Sequence, residues 1–205
     1  MEVVSKGKIE LKEGIKYCEH YQKIFFRDSL LILGHQSLSN LIKNLRYEVD
    51  NGEKTVSEQF SHLYQYFYRH GYLKFIDERF LTSKNFFPYM EWRSPDFLEL
   101  QELPLQQFWK DSYPPNGISN EDYKFATDVF DQLCKYANEH NIEPNLDLYL
   151  SFYLLIDTFS LASILQSIAR DYFHSYGVCI LQYDTAAQYS WNIFCERVKV
   201  PSHCI

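Results

Sequence analysis

The feature that most constrains the fold is a long apolar segment near the C-terminus. Residues 146–176 contain no proline, are apolar on most helical faces, and are followed by Gly177. This pattern predicts a buried helix of about 30 residues that ends at a glycine C-cap. The most apolar part, residues 148–165, is interrupted by Asp157 and several hydroxyl residues. We therefore expect a core helix rather than a membrane span, and no membrane partner.

An acidic residue within a buried helix requires a partner. An unpaired buried carboxylate is costly, and Tyr153 lies one turn before Asp157 on the same helix face. One interpretation is structural: Asp157 is satisfied by a hydroxyl or arginine neighbour, or faces water. The other is functional: Tyr-x-x-x-Asp presents a metal-binding carboxylate and a phenol that orients an attacking water. The four-residue pattern alone does not decide between them.

The remaining segments predict a chain with strands first and helices later. Short segments rich in Ile, Phe and Tyr predict strands over about residues 8–33. Apolar periodicity predicts helices over about 37–46, 55–82, 119–140, 146–176 and 186–197, with caps at Thr55 and Ser119. The proline-rich stretch before residue 119 is expected to be extended and laid over the surface of something larger. The pattern indicates the α/β (α+β) class.

Composition restricts the possible functions. A formal net charge of -7 argues against long-range capture of duplex DNA. A negative net charge is still compatible with a metal-dependent nuclease site, because the carboxylates of such a site face the metal ions. The 18% aromatic content fits core packing, or alternatively base stacking or a partner surface. Five scattered cysteines without a C-x-x-C pair predict neither disulfides nor zinc. With no apolar leader, an intracellular location is expected.

Three ordered segments carry a resemblance to a known family. The run "YLLIDTFSLASILQSIARDYFHSYGV", followed by "QYDTAAQYSWNIF", resembles the end of the 3′–5′ exonuclease domain of family B DNA polymerases. The similarity is to the protein-primed kind found in phages, linear plasmids and Polinton/Maverick-like elements. The segments "FFPYMEWRSPDFLELQELPLQQFW" with "ISNEDYKFATDVF", and "FFRDSLLILGHQSLSNLIKNL", follow the family's order. The resemblance covers about residues 20–200.

The resemblance implies a fold and a catalytic constellation. Residues 1–205 would form a partial RNase H-like exonuclease domain. Asp157 would be a carboxylate of a Mg²⁺ or Mn²⁺ site, and Tyr153 would position the water or the scissile phosphate. Lys84, in a Lys-x-x-hydrophobic motif with Phe87, would contact that phosphate and offset its developing charge. The alternative for Lys84 is a solvated loop lysine.

The resemblance also implies partners. Ser29, Leu30 and Leu33 match a Ser-Leu-x-x-hydrophobic motif that touches single-stranded primer and terminal protein. The expected partners are therefore single-stranded DNA or a primer terminus, and possible further ones are terminal protein or other polymerase parts. The setting would be the nucleus or a virus or mobile element. The Ser190-Trp191 pair matches the segment that leads into the polymerase domain.

The sequence departs from the family in several places. The Asp-x-Glu strand and the later Asn…Asp segment are not found before the "IFFRDS" segment, and the polymerase aspartates do not occur before Ile205. One carboxylate cannot hold two ions, so we expect little or no activity from the isolated chain. Asn85 stands where the family usually has glycine. An alternative register, Tyr149-x-x-x-Tyr153, would lose the aspartate.

Three hypotheses follow from the sequence. In the first, the chain is a fragment of a DNA-directed DNA polymerase from its proofreading region. In the second, it is a domesticated remnant that binds single-stranded DNA or a protein. In the third, it is an unrelated aromatic-rich α/β protein.

Overall fold

The chain folds as two compact units. The computed structural model describes residues 2–7, 20–25, 30–34, 36–109 and 117–198. Unit 1 comprises Met1–Gln36 and Tyr172–Ile205, and unit 2 comprises Ser37–Asp171. The prediction of one domain over residues 1–205 did not anticipate this division.

Unit 1 contains the only strands in the described part of the chain. Strand β1 (Glu2–Gly7) pairs antiparallel with β2 (His20–Phe25), so that Glu2 lies opposite Phe25. The short helix α1 (Leu30–Leu33) follows. The unit also holds the C-terminal end of a long helix and the last described helix, α8 (Ala186–Val198).

The predicted α/β (α+β), RNase H-like fold class is wrong. From Leu30 onward the described residues are about 71% helical and contain no strand. A two-stranded hairpin is not the mixed sheet that would carry a row of carboxylates. Of the predicted strand region, residues 8–19 and 26–29 lie outside the described residues, 20–25 form β2, and 30–33 are helical. A short apolar run such as "LLIL" suits either a strand or a helix, because its periodicity does not distinguish them.

Unit 2 is built from helices of very different lengths. They are α2 (Leu38–Asp50), α3 (Val56–Gln59), α4 (Ser61–Arg69), α5 (Glu78–Leu81), α6 (Asn120–Glu139) and most of α7 (Leu146–Tyr176). The single helix predicted over 55–82 is divided into α3, α4 and α5. Gly71, at φ 75°, ends the α4 region, and Asp77 caps α5 with a bond from the Arg79 amide.

The sequence-predicted caps account for two helix starts. The Thr55 hydroxyl accepts from the Glu58 amide while the Glu58 carboxylate accepts from the Thr55 amide, which confirms the capping box of α3. The Ser119 hydroxyl accepts from the Asp122 amide at 3.0 Å and caps α6. Both caps satisfy backbone donors that a helix leaves free at its first turn.

Aromatic rings fill the core of unit 2 around α7. Phe152 of α7 packs edge-on against Phe67 of α4, with ring centroids 5.5 Å apart. Tyr72 and Tyr136 stack at 4.0 Å. By length and composition α7 could cross a membrane, but 44% of its most apolar window is buried inside the fold. Much of the aromatic excess therefore packs the core.

The segment between α5 and α6 is held against the helices of its own unit. It forms 3₁₀ turns at Tyr89–Glu91, Pro95–Glu99 and Gln106–Phe108. The Trp109 indole donates to the Pro104 carbonyl at 2.8 Å, and the Tyr123 hydroxyl of α6 donates to the same carbonyl at 3.2 Å. This segment begins with the loop that presents Lys84.

Candidate functional site

The first half of α7 presents Tyr153 and Asp157. The Asn145 side chain accepts from the Leu148 amide at 3.0 Å, and the Leu146 amide donates to the Leu100 carbonyl at 2.9 Å. These bonds fix the start of the helix. Tyr153 and Asp157 lie one turn apart, so both side chains project from the same face.

The loop after α5 is fixed by two buried side chains. Asn85 is 1% exposed, and its amide donates to the carbonyls of Phe80 at 3.1 Å and Ser83 at 3.5 Å. The fully buried Tyr149 of α7 donates its hydroxyl to the Phe86 carbonyl at 2.7 Å. The loop is thereby attached both to the end of α5 and to α7.

Asn85 stands where the resembled family usually has glycine, but its own backbone needs no positive φ. Among the described non-glycine residues, only Asn141 has a positive φ. The Asn85 side chain instead anchors the loop that presents Lys84.

Lys84 reaches both predicted residues of α7. Its ammonium Nζ lies 3.3 Å from the Asp157 carboxylate Oδ2 and 3.4 Å from the Tyr153 hydroxyl. The side chains of Lys84 and Asp157 are 33% and 22% exposed. Asp157 is thus paired with a lysine from a distant part of the chain, a partner that was not considered from sequence. Its second oxygen, Oδ1, is buried without a hydrogen-bond partner in the described structure.

A fourth residue, Tyr89, completes the group, which we call the Lys84 site (Lys84, Tyr89, Tyr153 and Asp157). Its ring lies edge-on to that of Tyr153 with centroids 5.7 Å apart, and Tyr89 is 47% exposed. Burial raises the pKa of Tyr153 above its ordinary value, and the neighbouring Tyr89 hydroxyl and Asp157 carboxylate raise it further. The Tyr153 phenol therefore stays protonated near neutral pH.

The residues of the Lys84 site do not fit a two-ion Mg²⁺ or Mn²⁺ centre. Such a centre needs several carboxylates, whereas Asp157 is the one carboxylate of this site and its Oδ2 faces the Lys84 ammonium. No group of three or more His, Cys, Asp or Glu side chains placed to hold a metal occurs in the residues that the structure describes. The site therefore offers one cation, two phenols and one carboxylate.

The other predicted binding residues belong to unit 1. Ser29 lies outside the described residues, while Leu30 and Leu33 are the first and last residues of α1. Ser190 and Trp191 lie on α8, where the Ser190 hydroxyl donates to the Ala186 carbonyl and Trp191 is 58% exposed. The expectation that Leu30 lies in a strand is wrong, and its proposed contact with primer stays a prediction.

Two contributors were missed from sequence. Tyr89 was quoted only as part of a family-like stretch, and Tyr149 only as an alternative register. For Tyr89, the usable signal was its position only five residues after Lys84 in the sequence. The second carried no local signal, because its hydroxyl bonds a carbonyl 63 residues away.

Comparison with known proteins finds no matching family model, no matching curated protein and no matching solved structure. A functional assignment therefore rests on the chemistry of the Lys84 site and on the resemblance noted from sequence.

Proposed function

We propose that this chain is a fragment of a DNA-directed DNA polymerase, from its proofreading region, whose retained activity is to bind single-stranded DNA. The observation that carries the proposal is that the Lys84 ammonium lies within 3.4 Å of both the Tyr153 hydroxyl and the Asp157 carboxylate. These two residues follow Lys84 by 69 and 73 positions in the sequence. The resemblance assigned these three residues to one site, although nothing in their local sequence requires them to meet.

The cation and the phenol suit a phosphodiester. Lys84 is one-third exposed, so its ammonium remains accessible while two neighbours orient it. An ammonium binds phosphate oxygens as a point charge, and a neutral phenol donates a further hydrogen bond. The Tyr153 phenol is protonated near neutral pH, as an ordinary phenol is, and its raised pKa keeps it so at higher pH.

Exposed aromatic rings beside the site suit unpaired bases. Tyr89 and Trp92 are 47% and 43% exposed, and both rings contact the buried Phe87, at centroid distances of 5.0 and 6.4 Å. Stacking on such rings contributes about 1–3 kcal/mol per base and requires a single strand. The rings and Lys84 together match the alternating bases and phosphates of a strand.

Hydrolysis is not included in the proposal. The pairing of Asp157 with Lys84 leaves a site whose formal charges cancel, and a two-ion displacement needs a strongly anionic ligand set. Binding needs only the cation, the phenol and the rings.

A fluorescence-anisotropy titration with a 5′-labelled twelve-nucleotide oligo(dT) tests the proposal. We expect binding at low salt that Lys84→Met weakens about tenfold, because a charge-assisted contact to phosphate is lost. Lys43→Met, which removes the same charge from an exposed position on α2, is the matched control and should have little effect. No binding by the wild type, or equal losses in both variants, would refute the proposal.

A degradation assay tests the enzymatic alternative. The same oligonucleotide is incubated with Mg²⁺ or Mn²⁺, and we expect it to remain intact. Shortened products that disappear with Asp157→Ala would show that the site is catalytically complete. The polymerase origin is tested separately by sequencing the flanking genomic DNA: an adjoining frame encoding Asp-x-Glu or polymerase aspartates would support it. A transcript that begins and ends with this chain would contradict it.

A further inference from the structure

A groove that uses none of the residues of the Lys84 site lies between α4 and α7. It has a volume of about 300 Å³ and is lined by His62, Tyr66, Arg69 and His70 of the α4 region and by Phe159 of α7. Phe159 is two residues after Asp157, which places it about 200° further around the helix. The two sites therefore use different faces of α7.

Aromatic rings form one side of this groove. Tyr66 stands between His70 and Phe159, with centroid distances of 4.3 and 5.2 Å. The ring planes are tilted by 37° and 40°, so the three rings form a row of tilted rings against which a further planar ring can pack. A heterocyclic base has the required flat face.

The polar side of the groove favours an anion. None of the described residues that line it is a carboxylate, although the chain carries a formal net charge of -7. Arg69 is exposed and has no ion pair among the residues that the structure describes, which leaves its five donors available. His62 and His70 add further donors beside it.

We infer that this groove binds a nucleoside monophosphate, with the base on the Tyr66 row and the phosphate at Arg69. A volume of about 300 Å³ is at the small end of ligand sites, which suits one nucleotide rather than a longer strand. The aromatic row can pack against the base, and the Arg69 guanidinium can bind the phosphate, so the groove recognises both parts of such a ligand. This inference goes beyond strand binding at the Lys84 site and uses none of its residues.

Isothermal titration calorimetry with AMP tests the inference, with adenosine and inorganic phosphate as the two half-ligands. We expect AMP to bind at least about tenfold tighter than either half, since each half makes only part of the contacts. Arg69→Gln should weaken AMP binding at least about tenfold through loss of the charge-assisted hydrogen bonds. Arg79→Gln, at an exposed position of α5, removes the same charge outside the groove and should leave AMP binding unchanged.

A steric variant keeps the test independent of charge. Ala162 is exposed and also lines the groove, so Ala162→Leu fills the groove without removing a polar group. Leucine, like alanine, favours the helix. We expect it to abolish AMP binding while the melting temperature stays near the wild-type value. Unchanged AMP affinity in this variant, or in Arg69→Gln, would overturn the inference.

The oligonucleotide titration separates this inference from the proposed function. Lys84→Met should weaken oligo(dT) binding and leave AMP binding unchanged, and Arg69→Gln should do the reverse. If oligo(dT) displaces AMP and Arg69→Gln weakens both ligands equally, the groove is part of a strand path and the separate nucleotide site is refuted.

Discussion

Replacing Asp157 with asparagine should strengthen the binding of single-stranded DNA. Asp157 Oδ2 lies 3.3 Å from the Lys84 ammonium, the group that we assign to phosphate binding. Asparagine keeps the shape of the side chain and an oxygen acceptor but removes the negative charge. The exchange therefore isolates the electrostatic effect of the carboxylate.

The size of the effect follows from the geometry. A phosphate bound at Lys84 would stand about 6 Å from the Asp157 carboxylate, where two unit charges repel by roughly 1.5–3 kcal/mol at an effective dielectric of about 20–40. Since about 1.4 kcal/mol corresponds to a factor of ten, the affinity should rise about tenfold or more. Both side chains of the ion pair are partly exposed, so its loss should cost the fold no more than about 1 kcal/mol.

The assay is the anisotropy titration in low salt with EDTA, followed by a repeat with Mg²⁺. The account predicts tighter binding by Asp157→Asn in EDTA and a smaller advantage in Mg²⁺, because added ions screen the repulsion. Weaker binding by Asp157→Asn, seen only when Mg²⁺ is present, would mean that Asp157 recruits an ion that holds the strand. That result would refute the electrostatic reasoning.

Three further substitutions test how the site is held and how the chain turns. Tyr149→Phe removes the buried bond to the Lys84 loop and should lower the free energy of unfolding by about 1–3 kcal/mol in urea titrations. The control Tyr68→Phe, at a position that is 70% exposed, should change it little. Equal effects of the two substitutions would contradict the role given to Tyr149. Asn85→Ala should lower the free energy of unfolding by a similar amount and also weaken oligo(dT) binding, because the loop loses the Asn85 hydrogen bond. Destabilisation with unchanged binding would show that Asn85 does not position the site. Gly117→Ala should destabilise the protein by at least about 1 kcal/mol more than Gly52→Ala. Both glycines have a positive φ, but only at Gly117 would a Cβ lie 2.9 Å from a backbone carbonyl oxygen. Equal melting temperatures of the two variants would show that this carbonyl moves aside.

The elements of the Lys84 site could be anticipated from sequence to an unusual extent. Tyr153 and Asp157 share a helix face because of their spacing, which local periodicity predicts directly. Lys84 was placed with them only through the order of family-like segments, and the structure brings the three together. Its catalytic role stays a prediction. Tyr149 and Asn85 were not foreseen as positioning residues because each acts on a backbone carbonyl, which leaves no pattern in side-chain sequence.

The fold class was not predictable by the same means. The apolar residues around Leu30 have the composition of a strand, yet α1 is a helix, because four residues are too few for a period to show. The predicted helix over 55–82 contains the interruption at Phe60, whose φ of -112° and ψ of 43° leave the helical region. No local signal marks that position, and Phe60 is fully buried, so packing rather than propensity sets its conformation.

Site-mapped photocrosslinking tests the central claim most directly. An oligo(dT) carrying 5-iodouracil at its 3′ end is irradiated with the protein, and the crosslinked peptides are identified by mass spectrometry. The account predicts crosslinks at Tyr89 of the Lys84 site or at the nearby Trp92, and their loss in Lys84→Met but not in Lys43→Met. Crosslinks confined to other parts of the chain, or unaffected by Lys84→Met, would contradict the claim that this site binds single-stranded DNA.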